Sequence, residues 1–505
     1  MGISVMAMRV FLILALIPLC CPSANAQMGF NKVYDIGYAS AFNSLEYKDG
    51  IVTVYGVVFD QNSPSYWGLM FYQIDTLGNT LNSSVYIDSI GDDFTGCYPN
   101  SFIKLSDGSG YVGIGTFFFR RSGYLAIYNN DGTIRRIVEY DDPNTLTDHY
   151  TEIIELPDGF FILGNKQLND YHSHIFLMKT DKKGNKLWEK LYGHPTRENW
   201  FGSIVKVNDN EYVIGGATTT IPTTPQLVYN TSNFYVTDSL GNLKSSWQSQ
   251  LSTTDIGVGH GMQRTEQGGW VYSTIEIRFE PPLNVIERKL KLIERDSQYN
   301  IINEKAYGDF KPNNIQQNLK NLSNSDYLMV GTRSIQFSSQ TQYPGLNMGS
   351  LFRLSPNGDS IWNFLDTAFG LAQNRIYDAV ELPSGSIIAC GYSQTLNPPK
   401  DWSWLIKVSK DGCVDTLNCF PVSGIEAVWP EKQVKVYPNP ASDFIYIELP
   451  DGGQSEYQIF DLTGSLIMSG FVSNGKIDVS SLLPGGYMLQ IRSKSTLVTK
   501  KIVKI

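Results

Sequence analysis

Seven copies of a short strand–turn–strand unit, a second tight turn after each copy, and a change of pattern near residue 420 predict an all-β chain. The predicted architecture is a seven-bladed β-propeller followed by a small Ig-like β-sandwich. Composition agrees. Of 505 residues, 42 % are hydrophobic and 18 % charged, and Gly (45) and Tyr (29) are abundant, which suits a folded, turn-rich chain rather than a disordered one. The net charge of −9 argues against a nucleic-acid backbone or an anionic membrane as partner.

The N-terminus reads as a targeting segment. Arg9 precedes an apolar run, 10–19, and then "PSANAQ". Ala24-Asn25-Ala26 is the small-x-small pattern of a cleavage site, so residues 1–26 are expected to be a signal peptide cut between Ala26 and Gln27. The run is too short to span a bilayer, and no transmembrane segment is expected elsewhere. Cys20 and Cys21 raise a lipoprotein reading, but neither follows a small residue.

The repeat is visible when "IIELPDGFFILGN" (153–165) is laid beside "AVELPSGSIIACG" (379–391). Each is an apolar strand, a turn at Asp/Ser-Gly, and a second strand. A further hairpin follows, as in "LMKTDKKGNKLW" (177–188), with turn Asp-x-x-Gly-Asn or a variant. Gly78, Gly132, Gly184, Gly241, Gly358 and Gly412 occupy the turn, at a spacing that suits one four-stranded blade. The fifth copy has Tyr299 there, so its turn is expected to be distorted. A four-stranded sheet cannot bury both faces alone; stacking blades radially does so, and closing the ring removes the unpaired ends. Phe30–Tyr34 resembles the last strand of a unit without a blade of its own, and is expected to complete the blade at 379–420. The propeller is therefore placed at 27–420, with 421–433 as a linker. The S-x-D-x-G-x-x-W turn is excluded, because Asp181 and Gly184 are three steps apart.

After residue 433 the repeat stops. "VKVYPNPASDFIYIELP" begins a module of short alternating strands at 434–505. It resembles the C-terminal sorting domain of the type IX secretion system. The matching residues are Pro438, Asn439, Pro440, Ala441 and Asp443; Asp461 and Gly464 in "IFDLTG"; Asp478, Leu482, Gly485 and Tyr487 in "IDVSSLLPGGY"; and Lys500 and Lys501 near the end. The resemblance implies Sec export, engagement of the type IX machinery, and release or attachment at the outer surface. The repeat itself resembles propeller-like proteins secreted by Bacteroidetes-type bacteria.

Chemistry is less legible. Cys413 and Cys419 lie close enough for a short disulfide in an exported chain, with metal binding as the rival reading; Cys97 and Cys390 read as buried free thiols. His172 and His174 form a cluster without a nameable third ligand, so the pair reads as a loop edge and no cofactor is implied. Asp92-Asp93 and Asp141-Asp142 fit turn chemistry. Tyr66, Trp67, Trp200, Phe201, Trp402 and Trp404 fit packing between blades better than ligand stacking. No nucleophile, metallopeptidase or phosphate-loop motif is present. Two functions stay open: a non-catalytic binding or adhesion scaffold for an unknown glycan or protein, and an extracellular hydrolase or lyase with its site at the propeller mouth. Carboxylates, His or Tyr converging at one end of the channel would favour the second.

Overall fold

The computed structural model describes residues 29–414 and 435–505, apart from short internal stretches. Ala26, Gln27, Cys419 and Gly464 lie outside the described residues, as do Asp92 and Asp93. Every element is a β-strand, and among the described residues no helix is long and apolar enough to cross a membrane.

From 39 to 408 the chain forms successive antiparallel sheets with strands in chain order: 39–86, 94–140, 145–192, 199–248, 263–311, 315–365 and 373–408. They are called the first to seventh sheets below. Each has four strands, except that the first strand of the second sheet is split into Phe94–Thr95 and Phe102–Lys104. The seventh has only three from its own stretch; Phe30–Tyr34 supplies the fourth, antiparallel to Pro399–Val408 with Phe30 opposite Lys407. The expected ring-fastening strand is thus in place. Its removal would leave Pro399–Val408 with an open edge.

The sheets pack in a cycle because their strands are apolar on both faces. Val54 and Val58 of the first sheet bury against Ile388 and Leu405 of the seventh. Tyr55 and Phe71 meet Phe102 and Tyr128 of the second. Equivalent cores join the remaining neighbours in turn, ending with Leu328 and Leu351 of the sixth sheet against Ile387 and Trp404 of the seventh. The fold is all-β and propeller-like.

The repeated turn follows from its residues. Asp181 Oδ1 accepts from the amides of Lys183 and Asn185, Oδ2 accepts from the Asn185 side chain, and Gly184 takes φ +83°. Asp75, Asp238 and Asp296 make the same clasp with Asn79, Asn242 and Asn300. Burial opposes ionisation, and at Asp75 and Asp181 it is the largest single influence, but the clasp hydrogen bonds together outweigh it and hold all four carboxyls below their usual range. The fifth turn is not distorted, contrary to the sequence expectation. Tyr299 adopts φ 73° and its amide bonds the Asp296 carbonyl at 3.0 Å, as Gly184 does with Asp181. A left-handed tyrosine costs about 1–2 kcal/mol; its ring offsets this by packing on Trp247 and Trp270, with centroids 4.3 and 5.0 Å away.

Each turn also fastens its sheet to the one before. Tyr34, Tyr140, Tyr192 and Tyr307, on the last strands of their sheets, donate hydroxyls to the carbonyls of Gly78, Gly184, Gly241 and Gly358 in the next sheet, at 2.6–3.0 Å. Ser84 does so to Gly132, and the Trp362 indole to Lys410. At the fifth turn, packing of Trp247 against Tyr299 takes the place of the hydrogen bond.

The C-terminal module has a separate core. A three-stranded sheet and a four-stranded sheet, strands Glu456–Asp461, Leu466–Phe471, Gly485–Ser493 and Thr496–Lys504, share Ile445, Ile447, Ile459, Ile477, Leu489 and Ile502.

Candidate functional site

The first strands of the sheets line the axis, and most carry a β-bulge. Register shifts occur immediately before Ser44, Glu152, Ser203, Asn318 and Asp378. Ser101 and Gly261 hold the same place in the second and fifth repeats, one residue before the apolar strand. A bulge re-aims the side chain that follows it, and these side chains meet. Asp378 accepts from Ser44 Oγ, the Leu45 amide and Asn318 Nδ2, and pairs with Lys320 Nζ at 2.9 Å. Glu152 accepts from Ser203 Oγ, which in turn accepts from the Met262 amide. Asn100 and Asn318 exchange reciprocal amide bonds at 3.1 Å, and Lys320 also donates to Asn100. Asn100 and Asn318 belong to the second and sixth repeats, so these bonds cross the axis. Gly261 is required beside them: a Cβ there would lie 2.1 Å from Asn318 Oδ1.

The electrostatics of this girdle are those of a polar plug. Burial raises Glu46 and Glu152 each to about 7; Lys320 pulls both back, and for Glu152 so do hydrogen bonds from Ser203 and the Ile204 amide. Burial alone would lower Lys320, but Asp378, Glu46 and Glu152 together hold it above its ordinary value. His260 falls to about 4, driven by burial against the opposing pull of Asp378, and its ring lies 6.0 Å from that of Tyr98. Asp378 has no exposed surface, whereas Lys320 keeps 26 % of its side chain accessible, so a little solvent reaches the plug. Three carboxyls and a histidine therefore converge, most of them already bonded to protein. Sequence reading missed them because they lie on separate repeats; aligning the copies and reading the column before the apolar strand (Ser, Ser, Glu, Ser, Gly, Asn, Asp) is the signal that finds them.

A second candidate borders the loop connections of the third and fourth sheets. A pocket of about 160 Å³ is lined by Thr147, His149, Asn165, Gln167 and Ser173 of the third sheet and by Glu198 and Trp200 at the start of the fourth. Glu198 is oriented by Ser173, whose hydroxyl and amide donate to Oε2 at 2.5 and 3.2 Å. Trp200 is 48 % exposed, and its indole N–H reaches Thr219 Oγ1 at 3.4 Å. Burial lowers His149, so its imidazole is neutral near pH 7.

The other sequence candidates are dispersed. His174 is buried on Ser173–Asp181, and His172, just before that strand, lies 3.9 Å from Glu198. Asp142 caps a turn through the Asn144 amide and pairs with Lys166. Trp404 is fully buried and Trp67 packs on Phe59, as packing residues; Trp200 is the exception. Cys97 and Cys390 are buried free thiols, with Cys97 Sγ 3.6 Å from the Tyr124 hydroxyl. Cys413 is in a disulfide.

In the C-terminal module, Pro438 and Pro440 follow cis peptide bonds, and Asn439 between them clips the last strand through the Lys501 carbonyl and the Val503 amide, both at 2.8 Å. Asp461 sits opposite Tyr487, whose hydroxyl bonds the Leu483 carbonyl. Gly485 opens strand Gly485–Ser493, and Lys500 and Lys501 lie on the terminal strand.

Residues 435–505 match the family described as a secretion system C-terminal sorting domain. The chain is therefore an exported protein of the Bacteroidetes type, secreted or attached at the outer surface, and it engages the secretion machinery through this tail. No curated protein matches the chain. Among solved structures, it is similar to an α-L-arabinanase of Penicillium chrysogenum (9 % identity, 76 % of this chain, 99 % of that one, TM-score 0.37). It is also similar to an exo-β-1,3-galactanase of Clostridium thermocellum (12 %, 94 % and 99 %, 0.30) and an α-L-arabinofuranosidase of Fusarium graminearum (10 %, 76 % and 97 %, 0.37). At these TM-scores the likenesses decide neither fold nor activity.

Proposed function

We propose that this protein is a seven-bladed β-propeller that serves as a non-catalytic binding scaffold outside the cell. Residues 1–26 are its signal peptide, cut between Ala26 and Gln27. Residues 27–420 are the ring, 421–433 a linker, and 434–505 an Ig-like sorting domain whose recognition residues are Pro438, Asn439, Pro440, Asp461, Gly464, Gly485, Tyr487, Lys500 and Lys501. Cys413 pairs with Cys419. The observation that carries the scaffold reading is the girdle. Asp378 is saturated by donors and Glu152 is held by Ser203, so these two of the three axial carboxyls support the ring rather than stand open to a substrate. The test is to screen the mature protein against polysaccharides and peptides for both binding and cleavage. Binding without new reducing ends or new termini is expected; turnover that disappears in Glu46→Gln would reverse the reading.

A hydrolase is the second reading, favoured by one observation. Glu46 and Glu152, both raised to about 7, lie within electrostatic reach of the same lysine, and a carboxyl of that kind suits a general acid. The same screen separates the two readings.

A further inference from the structure

We propose that the pocket between the third and fourth sheets binds one sugar ring of a neutral or amine-bearing glycan; this rests on the scaffold reading above. Size is the first argument. About 160 Å³ suits one six-membered ring, since an engineered cavity of about 150 Å³ holds benzene. Trp200 is the second. It is the half-exposed member of the wall, with its indole N–H on Thr219, so part of its aromatic surface is accessible to the C–H face of a sugar. The third is the sign of the charge. Glu198 is held by Ser173 and a carboxylate only accepts hydrogen bonds, so its partner must bring donors: hydroxyls or an ammonium group. The wall contains no lysine or arginine. A uronate, sialate or phosphate would face Glu198 with no lysine or arginine in the wall to offset it, the His172 imidazole at 3.9 Å being charged only when protonated, and an apolar peptide side chain would desolvate it without compensation.

The experiment uses the mature full-length protein on an array of neutral, amino and acidic glycans, with dissociation constants measured for the best ligands. Binding to neutral or amino glycans is expected. Trp200→Ala should weaken it about tenfold or more, Trp200→Phe only about threefold, because the aromatic face is kept. Glu198→Gln should narrow the preference over acidic glycans. Unchanged circular dichroism and melting temperature show that the variants fold, as expected for a half-exposed side chain. If Trp200→Ala binds as the wild type does, the pocket is not the site and the scaffold reading stands. If only acidic glycans or peptides bind, the ligand class is wrong. Cleavage of the bound glycan sinks the scaffold reading while leaving the pocket's role to the same variants. No binding to any glycan overturns the proposal.

Discussion

The connections within this ring fall into two kinds. Those joining third and fourth strands are nearly uniform: a side-chain clasp, by aspartate in four of the seven and by Asn129, Ser355 or Ser409 in the others, a left-handed residue, and a contact back to the preceding sheet. Those joining second and third strands run from two residues (397–398) to ten (220–229 and 336–345). The first kind is repeated because the same physical problem, reversing the chain while fastening two sheets, recurs at every junction. The second kind is under no such constraint. The Trp200 pocket and the exposed pair Phe118–Phe119, 61 % and 64 % accessible, both border connections of this freer type. Uniform turns build the ring, and unequal loops give each sector a different surface.

Perturbing the ring should have larger effects than perturbing the loops. The largest is expected on removing residues 29–34. This opens an edge on Pro399–Val408, strips Asn31 from the Trp404 indole and Tyr34 from Gly78, and should cost on the order of 5 kcal/mol. Urea unfolding should lose its single steep transition; an unchanged midpoint would mean that the ring does not depend on its seam.

Next comes the fifth turn. Tyr299→Gly relieves the left-handed strain but deletes packing on two tryptophans, so a net loss of about 2 kcal/mol is expected. Gly184→Ala should cost about 1 kcal/mol, since the new Cβ takes a left-handed position and meets the ends of Leu125, Val138 and Tyr140 at 3.1–3.4 Å. Stabilisation by Tyr299→Gly would show that the ring of Tyr299 contributes little. Tyr192→Phe removes one hydroxyl bond between sheets and should cost about 1 kcal/mol, measured by thermal melting. In contrast, Phe118→Ser with Phe119→Ser should change stability by less than about 0.5 kcal/mol.

A further test is a pH dependence that separates axis from turns. Glu46 and Glu152 have folded pKa values of about 7, above an unfolded value of about 4.3. Between those limits the folded state holds protons that the unfolded state releases, so stability falls as pH rises from about 4.3 to 7 and then levels. The clasp aspartates are shifted down, so their contribution is lost only in more acidic solution, as pH falls through their folded values. A midpoint–pH series should decline over the upper window, and Glu46→Gln with Glu152→Gln should flatten it; an unaltered slope would place its origin elsewhere.

The ring was legible in the sequence because its turns are local. Asp181, Gly184 and Asn185 determine one another within five residues, and Phe30–Tyr34 declared itself by likeness to the strand ending at Tyr192. The expectation for Tyr299 failed because glycine preference is a local rule, and Trp247 and Trp270 overrode it from other strands. The girdle was illegible for the converse reason. Asp378 and Ser44 are partners across 334 positions, and the bulge that aims each residue leaves no motif of its own. Trp200 was noticed but weighted toward packing, since sequence alone does not separate an aromatic ring facing a neighbouring sheet from one facing solvent.

The seam has a consequence for a chain that leaves the cell. Phe30–Tyr34 is among the first folded segments to be made, yet its partner strand ends at Val408. During synthesis or passage through a pore, N-terminus first, the opening strand has no mate until nearly the whole ring has followed it. The molecule therefore cannot finish closing on the far side of a membrane until its last sheet has arrived. The earlier sheets must wait as an open arc, with one bare apolar face at each extremity, and a holding partner for those faces would be of use only during transit.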